Sequence, residues 1–294
     1  MSPRVSTCSR TGRAVCLAAL GMALLGAACA KKGPKALPEV VAFHRATLPA
    51  TAADPTWNDV PAYTAALVPQ DMVEPRLMRS STPLVRVQSL TDGERIVFRL
   101  SWADSSQDNL PGAARFTDAC AVQLPAEHGP DVPAPQMGEK NRPVEISYWN
   151  AGWQSKADGR PDSIQALYPN AHVDHYPFEA APLGKGTPEQ LAMAKRYSPA
   201  RAVNRNEHPA DRPVQDLIAE GPGTITPAPE TRSQGNGRWS ANAWNVVIAR
   251  PLPAAMRAAK RSQVAFAVWK GERQEVGARK MRSVWLPLSL EAQP

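Results

Sequence analysis

The run VAFAVWKGERQEVGARKMRSVWLPLSLE, Val264 to Glu291, holds two strand-like segments joined by a Gly-containing, charged connection that carries Lys280. Val264 to Trp269 is a short apolar run rich in β-branched and aromatic residues, as strands are. In Ser283 to Leu290, Val284, Leu286, Leu288 and Leu290 recur with period two and Trp285 points the other way, the pattern of a strand with one face on a core. The other strand-like runs of the chain repeat this theme.

Working back toward the N-terminus, Gly237 to Arg250 (GRWSANAWNVVIAR) reads as a strand. Val144, Ile146 and Tyr148 share one face of another, and Cys120, Val122 and Leu124 one face of a third. Ile96, Phe98, Leu100 and Trp102 alternate with Val97, Arg99 and Ser101. Leu84 to Leu90 precedes them, and Thr91-Asp92-Gly93-Glu94 makes a hairpin turn in which Gly93 supplies a positive φ. Proline is abundant, at 30 residues, and long amphipathic helical patterns are nearly absent. These features predict an all-β, antiparallel immunoglobulin-like (DOMON-like) β-sandwich with long loops and a few short helices. Residues of about 154–234 read as a long loop region, with one helical-looking stretch at Pro188 to Tyr197.

The N-terminus reads as a targeting signal. Arg4, Arg10 and Arg13 precede a short apolar core and a small-residue processing site, so residues 1–28 are an export signal of lipoprotein type. Two processings are open: lipidation of Cys29, or ordinary cleavage after Ala30. Either places the mature chain outside the cytoplasmic membrane, in the periplasm, with residues 29–53 as a flexible tether and the domain over 54–294. Trp57 is the first large core anchor.

Loss of the three leader arginines takes the formal net charge from +7 to +4. Without basic blocks, that balance argues against nucleic acid as a partner. Cys8 and Cys16 leave with the leader and Cys29 is lipidated or lost, so Cys120 stands alone and no disulfide framework exists. No Cys-x-x-Cys-His occurs, which excludes a covalently attached c-type haem.

Hydrolase and nucleotide motifs are missing: no G-x-S-x-G, H-E-x-x-H, P-loop or G-x-G-x-x-G after a strand. His172 and His175, with Asp174 between them, lack a third metal ligand. Asp104, Asp108 and Asn109 lack the Gly and bidentate Glu of a calcium loop.

Six segments carry a resemblance: 95–109 (RIVFRLSWADSSQDN), 114–125 (ARFTDACAVQLP), 135–154 (PQMGEKNRPVEISYWNAGWQ), 214–227 (VQDLIAEGPGTITP), 237–252 (GRWSANAWNVVIARPL) and 264–290. In that order they resemble the haem b-binding gamma subunit of the molybdenum enzymes related to ethylbenzene dehydrogenase, dimethylsulfide dehydrogenase, selenate reductase and chlorate reductase. The resemblance implies one non-covalent haem b held between an axial Met and an axial Lys. The Met-Gly turn ahead of a Pro-Val strand falls on Met137-Gly138, and the lysine before the last Trp-containing strand falls on Lys280.

The resemblance further implies a non-catalytic electron-transfer subunit. Its partners would be an iron-sulfur beta subunit and a molybdenum alpha subunit, with a soluble cytochrome c or the quinone pool beyond. Lys270 competes for the lysine role, and His44, His128 and His208 are rival axial ligands by chemistry. Two other readings stand beside this one. One is a stand-alone haem b electron carrier. The other is a carbohydrate-binding sandwich in which Trp149, Trp153, Trp239 and Trp244 form a stacking platform.

Overall fold

The strand Arg261–Trp269 belongs to two sheets at once, its first half pairing in one and its second half in the other. The computed structural model describes residues 37–127, 131–161, 168–170, 186–189, 192 and 211–291. The strands among them are β1 Val40–His44, β2 Tyr63–Ala66, β3 Val68–Pro69, β4 Leu84–Thr91, β5 Arg95–Ala103, β6 Ala119–Pro125 and β7 Val144–Asn150. They continue with β8 Val214–Ala219, β9 Thr226–Pro227, β10 Gln234–Ser240, β11 Ala243–Pro251, β12 Arg261–Trp269, β13 Met281–Arg282 and β14 Leu286–Leu290. Two short helices, α1 Ala151–Ala157 and α2 Ala254–Ala259, accompany them.

The first sheet runs β10-β11-β5-β4-β1-β14-β12 and the second β12-β6-β7-β8-β9, with β13 and β3 added at the free edge of β12. The inner faces meet in one core that takes Phe98, Leu100 and Trp102 from β5, and Cys120, Val122 and Leu124 from β6. Trp149, Val264, Phe266 and Val268 join them. Phe98 and Phe266 meet edge to face at 6.1 Å across the two sheets, and Trp149 meets Trp244 at 5.1 Å. Gly237 makes room for the Trp149 ring: a Cβ there would lie 2.1 Å from Cζ2. This is the predicted β-sandwich, antiparallel except at β1.

Four expectations change. Residues 40–53 are not part of a tether. Val40 and Ala42 are buried, and β1 inserts in parallel between β4 and β14. Downstream of it, Trp57 and Val60 cover the outer face of the first sheet, where the Gln88 amide donates to the Trp57 and Val60 carbonyls at 2.8 and 2.6 Å. The run 237–250 is a hairpin rather than one strand, because Ala241 and Asn242 both take left-handed backbone angles of 51° and 57°. That two-residue turn lacks the Gly that usually announces it.

Within the expected loop region 154–234, Val214–Ala219 is a full strand of the second sheet. Finally, the last predicted strand is broken at Ser283, whose Oγ accepts from the Phe266 N–H at 2.9 Å, and Val284 is exposed. Cys29, His128, His172, Asp174, His175 and His208, the leader, and most of 188–197 lie outside the described residues.

Candidate functional site

Three alanines open the middle of the outer face of the second sheet. Strand pairing places Arg282, Ala267, Ala121, Tyr148 and Gln215 in one row across five strands, and Ala265, Gln123, Ile146 and Leu217 in the next. The alternation Val-Ala-Phe-Ala-Val in β12 and Ala-Cys-Ala-Val in β6 sends the large residues inward and the alanines outward. Above this floor lies a cleft of about 710 Å³, within the roughly 300–1,000 Å³ typical of cofactor and ligand sites.

Met137 enters the cleft from a tightly held loop. It takes φ 73° and Gly138 φ 82°, angles that cost a non-glycine residue about 1–2 kcal/mol. At Gly138 no other residue fits, because a Cβ would lie 2.8 Å from the Ala219 carbonyl oxygen and 2.9 Å from that of Arg142. The loop is pinned from several directions. Its Met137 carbonyl accepts from the Gly221 N–H at 2.8 Å, the Gln123 amide donates to the Pro135 carbonyl at 3.0 Å, and the Trp285 indole donates to the Pro133 carbonyl at 2.6 Å. These contacts hold the strained turn in place, and Met137 packs against the outer apolar cluster.

Lys280 enters from the connection between β12 and β13. There the Trp269 indole donates to the Gly277 carbonyl at 3.0 Å, and the Gln70 amide donates to the Ala278 carbonyl at 3.1 Å. The Lys280 carbonyl accepts from the Gln70 N–H at 2.9 Å. Its Nζ lies 5.2 Å from the centre of the Trp269 ring and 3.5 Å from Met137 Sδ. Among the described residues no carboxylate pairs with it. Burial, and secondarily the charge of Arg282, lower its pKa from 10.5 to about 8.

A thioether and an amine with a depressed pKa, converging over an apolar floor, are a soft donor and a donor that loses its proton at modest cost. Both suit a transition metal such as iron better than a hard cation. Tyr148 stands edge-on to Trp153 at 5.4 Å and to Trp269 at 5.3 Å, and burial pushes its hydroxyl up to about 12. Together these rings wall the cleft with flat apolar surface.

The rivals among the described residues, Lys270 and His44, fall elsewhere. Lys270 pairs with Asp104 and Glu272, both at 3.2 Å. Burial pulls its pKa down, but the two carboxylates outweigh that and leave it raised, so it keeps its proton. The same contact accounts for the calcium-like loop: a lysine ammonium sits on Asp104, and no set of three metal-ligating side chains converges among the described residues. His44 lines a separate polar pocket of about 210 Å³ with Lys260 and Glu291. Cys120 faces the inter-sheet core, where burial pushes its thiol up. Trp149 and Trp244 are also in the core, so the four-tryptophan platform does not form. Sequence reasoning missed the alanine floor, Gln70, Arg282 and the β8 residues. The small-large alternation in β12 and β6 was the available signal for the floor.

The profile of the ethylbenzene dehydrogenase family matches residues 54–281, most of the chain and both Met137 and Lys280. The chain belongs to the ethylbenzene dehydrogenase family. Among its relatives is a protein of Haloferax mediterranei described as a respiratory nitrate reductase heme subunit, ORF7. It is 27% identical over 278 residues, covering 92% of this chain and 77% of its own. The gamma subunit of chlorate reductase from Ideonella dechloratans is 23% identical over 203 residues, covering 67% of this chain and 60% of its own.

Among solved structures, a family 9 carbohydrate-binding module from Caldicellulosiruptor kristjanssonii in complex with cellotriose is 7% identical. It covers 87% of this chain and 94% of its own at a TM-score of 0.44, a likeness too loose to bear on ligand. The family match ends one residue beyond Lys280, so both donors and the three floor alanines lie within the ethylbenzene dehydrogenase span, while Arg282 and Ser283 of the cleft lining fall just past it.

Proposed function

We propose that this chain is an electron-transfer subunit that binds one haem b non-covalently, with Met137 and Lys280 as the axial ligands of the iron. The observation that carries the reading is the convergence of Met137 Sδ and Lys280 Nζ to 3.5 Å in an alanine-floored cleft, from positions 143 residues apart. The family match, and relatives named as a heme subunit and a gamma subunit, support it.

Bound haem supplies a one-electron Fe(III)/Fe(II) couple. The residues set its conditions. The neutral thioether of Met137 favours the reduced state, which raises the potential. Lys280 binds only without its proton, and the apolar surroundings that lower its pKa help remove it. Two protein donors leave no place for substrate or O₂, so the chain moves electrons and converts no substrate itself.

In this reading the subunit works within a molybdenum oxidoreductase, between an iron-sulfur subunit and a cytochrome c or the quinone pool. It does so in the periplasm, tethered through a lipid on Cys29. The carbohydrate-binding reading loses its support with Trp149 and Trp244 buried. A pyridine haemochrome assay on protein purified from haem-replete cells checks the proposal: one haem b per chain is expected, and a colourless protein contradicts it.

A further inference from the structure

The cleft carries an unbalanced charge. Among the described residues its lining includes five basic side chains, Arg115, Lys156, Arg160, Lys280 and Arg282, against one acid, Glu74, and Glu74 is already paired to Arg76 at 2.8 Å. Such a lining favours a ligand that brings negative charge.

Arg282 stands apart within this group. Arg160 donates to Ser155 at 2.8 Å, and Arg115 lies over the Tyr168 ring at 5.9 Å. Arg282 is half-buried on the cleft side of β13, in the same cross-strand row as Ala267. Among the described residues its fully buried Nε has no hydrogen-bond partner, and no carboxylate pairs with its guanidinium. A permanently charged group held this way is unfavourable unless an anion completes it.

We propose that Arg282 is the anchor for a ligand carboxylate in this cleft, pairing with an ionised propionate of the bound haem. The inference rests on the haem reading above and adds the residue that fixes which way round the ring is held. A guanidinium fork matches a carboxylate in two parallel hydrogen bonds, so the pair orients as well as attracts.

The test is a chemical cycle on the full chain purified from haem-starved cells, titrated with protohaem and with its dimethyl ester, whose carboxylates are capped. The wild-type protein is expected to bind the free acid about 10- to 100-fold more tightly than the ester, the range of one charge-assisted contact. Arg282→Gln is expected to bind both with the affinity the wild type shows for the ester, which also demonstrates that the variant is folded. Arg282→Met makes the same measurement should the Gln variant fail to fold. An undiminished preference for the free acid in these variants, or no preference in the wild type, overturns the inference alone. A wild-type chain that takes up neither compound overturns the haem reading and this inference together.

Discussion

Lys280 is the residue whose chemistry is most displaced by its surroundings. Its pKa falls from 10.5 to about 8 because the amine is buried, with the charge of Arg282 nearby and, among the described residues, no acid to compensate. In the cofactor-free chain this is a liability. Between about pH 8 and 10.5 the unfolded chain holds the proton that the folded chain has lost, so this residue's contribution to stability rises with pH across that window. Below about pH 8 the folded state carries the buried charge and that contribution is gone. Cofactor-free Lys280→Met is therefore expected to be more stable than the parent at pH 7, by about 1–2 kcal/mol, a figure discounted because the side chain is only partly buried. The advantage should shrink as pH rises from 8 to 10.5, as read by urea unfolding at several pH values. A gap that stays constant with pH would show that the amine is solvated rather than desolvated.

At the scale of the element, the site is a product of strand alternation. Ala121, Ala265 and Ala267 form a floor because their neighbours Val122, Val264, Phe266 and Val268 fill the inter-sheet core. Enlarging the floor should block the cleft without disturbing the core. Ala267→Leu is expected to retain the parent's melting temperature within about 2–4 °C, since the position opens onto the cleft and no core side chain is displaced. It should nonetheless lose most of its haem uptake. Full uptake by this variant would place the ligand elsewhere.

The same elements show what was legible beforehand. Strands such as Arg95–Ala103 and Ala119–Pro125 alternate cleanly because one of their faces is wholly apolar. The strand Val214–Ala219 was hidden because VQDLIA mixes polar cleft-facing Gln215 with Asp216. That carboxylate is consumed by the Ser147 hydroxyl and the Arg232 and Ser233 N–H groups. Strand β1 was hidden by its five-residue length, and the hairpin at Ala241-Asn242 by a turn without Gly. Met137 and Lys280 were reachable through family resemblance alone, since nothing in the composition of either loop distinguishes a ligand from a surface residue. Arg282 could not be singled out at all, because its buried Nε, without a partner among the described residues, exists only in the folded chain.

At the scale of the whole molecule, the two sheets divide the labour. Their inner faces hold the stability, while the outer face of the second sheet, freed from packing duty, carries two pinned loops that bring one sulfur and one nitrogen together. Under the proposed function those two atoms share one iron. Absorption spectra of the haem-loaded full chain and of Met137→Ala and Lys280→Ala test this most directly. The parent is expected to show a low-spin haem b, and each variant either a high-spin spectrum or haem affinity reduced at least about tenfold. Retention of the parent's low-spin spectrum and haem content by both variants would contradict the assignment.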